Sequence, residues 1–479
     1  MSITNKTIAG FFWAFMERFG SQMLQMVIFI VLARILAPEA FGLMGMLAVF
    51  VAVSQSLTDS GFGQALIQKK GTDEIDYSSV FYINLGISLL VYGLLYVSAP
   101  LIAQFFNEPE LIELVRVLGL RFIIAALSMV QIARLTKEVE FKKLMLAKLP
   151  STLLGGAAGI AAAFMGFGVW SLVIQQLTDS LAYSIQIWIQ SKWKPLWVFD
   201  WGRIKSLFDF GGKIMMESVL GTIYQNLYEL MIGRYFSTAQ VGFYTQADKF
   251  KQLPIQNISN ALGKVTFPIL SEIQDDDVRL KGVYKKVVRQ IFLIISPIMV
   301  AGIVLAEPMF RMVLTEKWLP AVPYFQWLCI SGLFYPVNAY NLNILKVKGR
   351  SDLLLYLGFV KKGIAIIGIF ILVQYSVLAL VMYRAFHSVL SYYINSYYSG
   401  RFIDYGIREQ VSDIWKFLAA AGMAGGLTWW GLNYLQFGDF WAVLTGIVSG
   451  SVIYGSIIYT VEYNILEYSR QTMQNIKGL

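Results

Sequence analysis

Apolar segments of about 20 residues recur along the whole of this chain, and each is long enough to cross the hydrocarbon core of a bilayer as an α-helix. Of the 479 residues, 57% are hydrophobic and only 14% are charged, and the mean hydropathy is +0.58. Charge at this density is too sparse to cover the surface of a water-soluble protein of this size. The sequence therefore predicts an all-α integral membrane protein.

We predict fourteen membrane-spanning helices, with no water-soluble domain between them. The boundaries follow the apolar runs, and a very tight turn at 165–168 separates two of the helices. The predicted spans are residues 8–34, 41–62, 78–100, 114–134, 149–166, 168–190, 207–233, 241–265, 287–306, 322–345, 353–373, 376–399, 412–433 and 440–462.

Lys and Arg residues are concentrated in alternate connections between the predicted spans. One such connection carries Lys137, Lys142, Lys143 and Lys148 close together. The positive-inside rule assigns basic connections to the cytoplasm, which places both termini there. The net charge of +9 is then a consequence of topology, and it indicates no nucleic-acid partner.

The sequence predicts no cofactor and no metal site. Cys329 is the single cysteine, so the chain has no internal disulfide and no cluster of thiolates that could bind a metal. A phosphate-binding Gly-Lys-Ser/Thr motif is also missing, which excludes ATP hydrolysis by this chain. If the protein transports a substrate, it must use an ion gradient or a partner.

The first two spans match the seventh and eighth when the sequence is offset by 200 residues. Glu17 then aligns with Glu217, Arg34 with Arg234, and Gly42 with Gly242. We interpret this match as a parallel duplication, which relates two helix bundles by an axis along the membrane normal. The predicted parts are a six-helix lobe at 1–190, a cytoplasmic linker at 191–206, a second six-helix lobe at 207–400, and two additional helices with a tail at 401–479.

Polar side chains recur every four residues in the first, seventh and eighth spans. Residues spaced by four share one helix face, and an ionisable residue at membrane depth usually faces a partner or a water-filled cavity. Such stripes indicate a hydrated cavity between two lobes. The alternative is that the residues form buried hydrogen bonds and ion pairs between helices, or extend to the membrane surface. The stripes contain Glu17, Ser21 and Gln25; Lys213, Glu217, Gly221, Gln225 and Glu229, with Asn226 beside them; and Asp248, Gln252, Gln256 and Asn260, with Lys249 and Lys251 beside them.

The second half adds cationic side chains to this predicted cavity. Lys361 lies in the eleventh span and Arg384 in the twelfth. Desolvated cations pair well with phosphate oxygens, so the pattern favours a phosphate-bearing substrate. The candidate cavity residues are Arg18, Lys213, Glu217, Lys249, Asn226, Gln225, Lys361 and Arg384.

The runs "RILAPEAFGLMGM", "DSGFGQALIQKK" and "IGRYFSTAQVGFYTQADKFKQLP" resemble the polysaccharide-transporter family of the multidrug/oligosaccharidyl-lipid/polysaccharide exporter superfamily. Within it the chain most resembles Wzx-type flippases of the colanic acid exporter kind. The resemblance implies two six-helix bundles related by a pseudo-twofold axis and arranged in a V, with two extra C-terminal helices. It also implies a bacterial inner-membrane protein that moves an oligosaccharide on undecaprenyl pyrophosphate from the cytoplasmic to the periplasmic leaflet.

The same resemblance implies coupling to H⁺ or Na⁺, and it makes Glu17, Glu217, Glu229 and Asp248 candidates for ion binding. Membrane lipids, a polysaccharide polymerase and chain-length proteins are the implied partners. Two alternatives stay open on the sequence alone. One is a cation-coupled multidrug exporter of the same superfamily, which should have an acidic, aromatic cavity. The other is a membrane polysaccharide polymerase or ligase, which should carry a large outward loop.

Overall fold

The computed structural model describes residues 3–59, 61–435 and 437–461, except for the side chains at 3–9, 11, 206–214, 217, 260–265, 267 and 268. Within these ranges the chain folds into seventeen α-helices and one 3-10 helix, Glu316–Ala321, without a β-strand. The predicted all-α class is confirmed.

The chain divides into two compact units, residues 1–242 and 243–479. The helices of the first unit are α1 (Ile3–Ile35), α2 (Pro38–Asp59), α3 (Phe62–Gln68), α4 (Glu74–Phe106), α5 (Leu111–Lys137), α6 (Phe141–Phe164), α7 (Trp170–Ser191), α8 (Trp201–Gln225) and α9 (Leu227–Tyr235).

The boundary between the units falls near the start of the next helix, α10 (Thr238–Glu272). The other helices of the second unit are α11 (Asp277–Val304), α12 (Ala306–Leu314), α13 (Val322–Val347), α14 (Ser351–Leu372), α15 (Val377–Ile403), α16 (Ile407–Leu435) and α17 (Asp439–Val461). This division follows packing, whereas the lobes at 1–190 and 207–400 follow the sequence repeat and stay a prediction.

Each of the fourteen predicted spans falls on a helix. The seventh span is interrupted at Asn226, where α8 gives way to α9. By length and composition alone, eight helical stretches in the described part of the chain are apolar enough to cross a membrane. The periodic apolar runs therefore located the helices, but not the break in the seventh.

The short helix α3 is absent from the sequence prediction. Gly61 adopts a φ of 70° directly before it, a left-handed conformation that glycine reaches without steric cost, and this residue separates α3 from α2. Phe62 and Leu66 are fully buried. The Lys137 ammonium donates to the carbonyl of Leu66 over 2.9 Å, which satisfies the C-terminal end of this helix.

The two matched corners of the sequence repeat contact each other. A Cβ placed on Gly42 would lie 1.8 Å from the carbonyl oxygen of Thr238, and one placed on Gly242 would lie 2.2 Å from that of Pro38. Thr238 and Pro38 begin α10 and α2 respectively. The contact is thus reciprocal between equivalent positions, as a twofold relation requires, and it needs glycine at both.

The last two helices, α16 and α17, pack against α11 within the second unit. Lys285 of α11 binds Glu409 and Asp413 of α16, at 3.0 and 3.1 Å. The Tyr454 hydroxyl of α17 donates to the carbonyl of Leu293 over 2.9 Å. These polar contacts fix α16 and α17 on α11, so the two helices are part of this unit's core.

Candidate functional site

The first unit contains a group of polar side chains inside its helix bundle, the first-unit cluster, made of Glu17, Lys148, Thr152, Asp179 and Tyr183. The Lys148 ammonium lies 2.8 Å from Asp179 Oδ2, and the Thr152 hydroxyl donates to Asp179 Oδ1 over 3.1 Å. These contacts join α6 to α7. Glu17 of α1 is half-buried and interacts electrostatically with Lys148. One ammonium therefore serves two carboxylates from different helices.

The close approach of α6 and α7 is what brings Thr152 and Asp179 together. A Cβ on Gly155 would lie 2.7 Å from the Asp179 Cβ, and one on Gly159 would lie 2.6 Å from the Gln175 Cβ. Small residues let helix backbones pack closely in membranes. The sequence analysis assigned Lys148 to a cytoplasmic connection. The structure places Lys148 on a helix and not in a connection, because α6 begins at Phe141 and Lys148 lies about two turns inside it, while its assignment to the cytoplasmic side stays a prediction.

Further charged groups extend the first-unit cluster toward α5 and α2. Arg121 donates to Gln176 Oε1 over 3.0 Å and interacts electrostatically with Asp179 and Asp59. Asp59 accepts from Gln55 over 2.8 Å. It also lines a cavity of about 300 Å³ beside the Gly61 break, so this polar network reaches an opening.

The second unit holds a separate group, the second-unit cluster, made of Tyr244, Asp248, Lys251 and Arg384. Asp248 accepts from Lys251 over 2.5 Å and lies 3.1 Å from Arg384. Arg384 also donates to the Tyr244 hydroxyl. The Lys251 side chain is only 3% exposed. Two cations share one carboxylate here, so the cluster carries an excess of positive charge.

An apolar cavity of about 460 Å³ adjoins the second-unit cluster. It lies among α10, α11, α13, α16 and α17, and Lys251 is the one residue with a charged side chain among its described lining residues. Thr428 and Tyr454 are among the few polar side chains in its wall. The cavity therefore offers room for an apolar chain next to a cation.

Lys361 points into the bundle of the second unit. Its ammonium donates to Asn395 Oδ1 over 2.8 Å, and the Asn395 amide donates to Asn338 Oδ1 over 2.9 Å. The ring of His387 lies with Nε2 3.0 Å from the carbonyl oxygen of Lys361. The Lys361 side chain thus joins α14 to α15 through a polar contact, and His387 lies against backbone.

The other predicted residues of the first unit are dispersed. Arg18 is exposed on α1, and Gln225 is exposed at the end of α8. Asn226 donates its side-chain amide to the carbonyl of Thr222 over 2.8 Å, and its backbone amide donates to the same carbonyl over 3.1 Å. Glu229 is half-buried in the first turn of α9.

Two predicted residues lie outside the described side chains, and one predicted lysine is exposed. Lys213 and Glu217 belong to α8, but their side chains fall in the excluded positions. Lys249 is exposed on α10, although Asp248 and Lys251 beside it are not. Of the predicted set, the structure brings together Asp248 with Arg384, and it places Glu17 near a lysine that the sequence analysis had not selected.

Several residues of both clusters were not selected as candidates from the sequence. The sequence analysis placed Lys251 beside the polar stripe of the eighth span but did not select it, although it lies three residues after Asp248, a spacing that allows an ion pair on one helix face. Lys148, Asp179 and Arg121 come from three helices far apart in sequence, so no local pattern connects them. In the described part of the chain, no three carboxylate, His or Cys side chains come close enough to bind a metal.

Long apolar helices that enclose charged clusters define a polytopic membrane protein with polar sites inside its helix bundles. Residues 31–323 match the family described as polysaccharide biosynthesis protein. The match covers more than half of the chain, and the chain belongs to this family.

Similar proteins agree with this assignment. The chain is 28% identical over 357 residues to the teichuronic acid biosynthesis protein TuaB of Bacillus subtilis (strain 168), covering 74% of each chain. It is 25% identical over 355 residues to the lipopolysaccharide biosynthesis protein WzxC of Escherichia coli (strain K12), covering 74% of this chain and 72% of that one.

Among solved structures, the lipid II flippase MurJ in its inward closed conformation superposes with a TM-score of 0.75 at 16% sequence identity. The match covers 95% of this chain and 99% of that one. At this identity the likeness concerns the fold, and it extends to the C-terminal helices that the family match does not reach.

Proposed function

We propose that this protein is a flippase, not an enzyme, which moves an oligosaccharide linked to undecaprenyl pyrophosphate from the cytoplasmic to the periplasmic leaflet by alternating access. The polysaccharide biosynthesis family and the relatives named for lipopolysaccharide and teichuronic acid synthesis support a polysaccharide-related substrate. The fold shared with a lipid II flippase supports the mode of action.

The second-unit cluster is the observation that carries this proposal. Its two cations and one carboxylate lie among helices of an apolar bundle, where a charged side chain usually faces a partner or a water-filled cavity. A pyrophosphate supplies several oxygens that Arg384 can bind in a bidentate manner. In the absence of substrate, Asp248 neutralises part of that charge. The apolar cavity beside Lys251 provides space for part of an isoprenoid chain.

Lys361 is a second candidate for the phosphate-bearing headgroup. Its ammonium is partly buried and donates to the side-chain oxygen of Asn395. A phosphate oxygen is a stronger hydrogen-bond acceptor for an ammonium than this amide oxygen, so a phosphate group could replace Asn395 as its partner. Arg18, Lys213, Lys249, Gln225 and Asn226 remain candidates for the polar path along which sugars move.

Ion coupling is proposed for carboxylates at membrane depth. Around the first-unit cluster two cations, Lys148 and Arg121, face the three carboxylates of Glu17, Asp179 and Asp59. Binding of H⁺ or Na⁺ at Glu17 would therefore remove the excess negative charge. Asp248 has the opposite surroundings, with two cations around it. Glu217 and Glu229 are further candidates from the sequence repeat.

The multidrug-exporter alternative is disfavoured by charge. An organic cation requires a negative or aromatic site, whereas the second-unit cluster, where we place the substrate headgroup, has two cations for one carboxylate. A polymerase or ligase is disfavoured because the longest connections between helices in the described part of the chain are short.

The proposed location is the bacterial inner membrane, with both termini in the cytoplasm as the positive-inside rule predicts. A flippase there would deliver its product to a polymerase and to chain-length proteins.

The test is deletion of the gene in its native host, with extraction of polyprenyl-linked sugars and an assay of the leaflet that holds them. We expect complete repeat units to accumulate on the cytoplasmic side. Repeat units that reach the periplasm and stay unpolymerised would refute the flippase and favour an enzyme that acts later.

Complementation of the deletion strain with point variants tests whether the second-unit cluster is needed for transport. Arg384→Gln should fail to restore surface polysaccharide although the protein is present in the membrane, whereas Arg384→Lys should restore part of it. Arg401→Gln is the control, because Arg401 is exposed near the end of the same helix. Full activity of the Arg384→Gln protein would exclude this arginine from substrate binding.

A further inference from the structure

The connection between α7 and α8 exposes large aromatic side chains. In the segment 196–201, here the aromatic linker, Trp197 is 95% exposed and Trp201 is 63% exposed, and Phe199 is exposed beside them. Exposed aromatic rings in contact with water are unfavourable. Trp is, however, the side chain that membrane proteins place at the level of lipid headgroups, because its indole is apolar but carries one N–H donor.

The backbone of the aromatic linker is hydrogen-bonded to α4, so its aromatic side chains are exposed on a segment that is held in place. The amide of Leu196 donates to the Ser78 hydroxyl over 2.9 Å, and the amide of Asp200 donates to the Ser79 hydroxyl over 3.0 Å. Both serines are fully buried. These bonds hold the segment against the helix while its aromatic rings stay exposed.

A buried tryptophan reinforces this attachment from the N-terminal side. Trp193 is 5% exposed, and its indole N–H donates to Glu74 Oε2 over 2.5 Å. Trp193 and Trp197 therefore have opposite environments. Trp193 packs into the protein, whereas the Trp197 ring stacks at 6.1 Å on Tyr82 of α4 and stays 95% exposed.

The acidic groups near the aromatic linker are already occupied. Arg203 binds Asp73, Asp76 and Asp200, and Asp76 also accepts from Lys69 over 2.7 Å. These carboxylates are therefore already engaged with Arg203 and Lys69, and no ion pair among the described residues joins them to the neighbouring lysines.

Three lysines flank the aromatic linker without an ion pair among the described residues. Lys192 and Lys194 precede it, Lys205 follows it, and all three are exposed. Basic side chains next to interfacial aromatic residues bind anionic phospholipid surfaces, and this attraction adds to the insertion of the rings.

From this juxtaposition we infer that the aromatic linker is a membrane anchor. Trp197, Phe199 and Trp201 insert into the headgroup region of the adjoining leaflet, which is cytoplasmic under the positive-inside rule. Lys192, Lys194 and Lys205 contact the phosphates of anionic phospholipids there. The connection between the two repeats is thereby held at the membrane surface by α4 on one side and by lipid on the other.

The test places a fluorescent reporter in the full-length protein. Cys329 is replaced by Ala, and Val198→Cys is labelled with an environment-sensitive nitrobenzoxadiazole dye and reconstituted into vesicles. We expect blue-shifted emission, quenching by lipids that carry a nitroxide near the headgroup, and protection from iodide. Vesicles containing equal amounts of phosphatidylcholine and phosphatidylglycerol should give a larger shift than phosphatidylcholine alone.

Two sets of variants separate the contributions. Replacement of Lys192, Lys194 and Lys205 by Gln should abolish the difference between the two vesicle types, and replacement of Trp197 and Trp201 by Ser should make the dye accessible to iodide. A label at Asp275→Cys, in an exposed turn between α10 and α11, should give water-like emission in all vesicles.

Water-like emission from position 198 in both vesicle types would overturn the anchor, and it is the result expected if a protein partner covers this segment instead. An insertion that is independent of phosphatidylglycerol would overturn the role of the lysines. None of these readouts requires transport, so the membrane anchor is tested independently of the proposed flippase activity.

Discussion

Asp248 balances two cations in a place where neither could remain charged at low cost alone. Removing one member of a buried ion pair leaves an uncompensated charge, which usually costs about 3–5 kcal/mol. We expect Asp248→Asn to destabilise the protein by about that amount, because Lys251 and Arg384 would then repel each other. Thermal unfolding in detergent measures the change.

The control for Asp248→Asn is Asp404→Asn, since the Asp404 side chain is fully exposed. That variant should leave the unfolding temperature unchanged. Equal unfolding temperatures for both variants and the wild type would show that Asp248 does not neutralise the cluster.

Gly42 and Gly242 allow a close contact between backbones because neither has a side chain. A methyl group at either position would overlap a backbone carbonyl that cannot move away as a flexible side chain could. Overpacking of this kind typically costs about 1–3 kcal/mol, so Gly42→Ala and Gly242→Ala should each lower the unfolding temperature.

Gly86→Ala provides the matched comparison for these two glycines. Gly86 lies within α4, and a methyl group placed on it would have no atom within 4 Å. Alanine is favoured over glycine inside a helix by roughly 0.5–1 kcal/mol, so this variant should be neutral or slightly stabilising. A destabilised Gly86→Ala protein would mean that helix glycines matter here for a reason other than close packing.

At the scale of elements, the connection after α7 is held to the start of α4 by Arg203. The hydrogen bond from Arg203 lowers the pKa of Asp73 to about 2. Arg203→Gln should therefore loosen the connection, and trypsin should cleave faster after Lys192 in the variant, since Pro195 blocks cleavage after Lys194. Lys70→Gln, an exposed change in the turn before α4, should leave that cleavage rate unchanged.

The same hydrogen bond sets a pH dependence. A carboxyl whose folded pKa is depressed contributes stability above its unfolded pKa of about 3.9, and this contribution is lost as the pH falls through the folded value. The Asp73 contribution to docking should thus persist at pH 4 and disappear toward pH 2. Anisotropy of a dye at Val198→Cys would report it, and loss already between pH 6 and 4 would contradict the assignment.

The sequence predicted the positions of most helices in the structure. Apolar runs of the right length located every predicted span on a helix, because helix formation in lipid depends on local composition. The α8–α9 break and the short α3 were missed, since both depend on one or two residues, Asn226 and Gly61, whose conformations are not evident in an average over a long apolar window.

At the scale of the whole molecule, coupling to an ion gradient is the property that the clusters would control. Glu17→Gln removes a carboxylate that shares Lys148 with Asp179. In proteoliposomes, we expect this variant to transport lipid-linked oligosaccharide at the same rate with and without a proton or sodium gradient. The wild-type protein should be accelerated by one of the two gradients.

Glu113→Gln is the control for this experiment, because Glu113 is exposed in the first turn of α5. It should retain the response to the gradient. A Glu17→Gln protein that still responds would exclude Glu17 from coupling and direct attention to Asp248, Glu217 and Glu229.

The sequence by itself determined that this is an all-α membrane protein, where its helices lie, and which family it resembles. These properties follow from local apolar composition and from short runs of residues. Only the tertiary structure decided that Lys148 of α6 meets Asp179 of α7 and that Arg384 of α15 joins Asp248 and Lys251 of α10. The physical reason is that a charge at membrane depth is stabilised by groups from other helices, and their positions depend on how the helices pack.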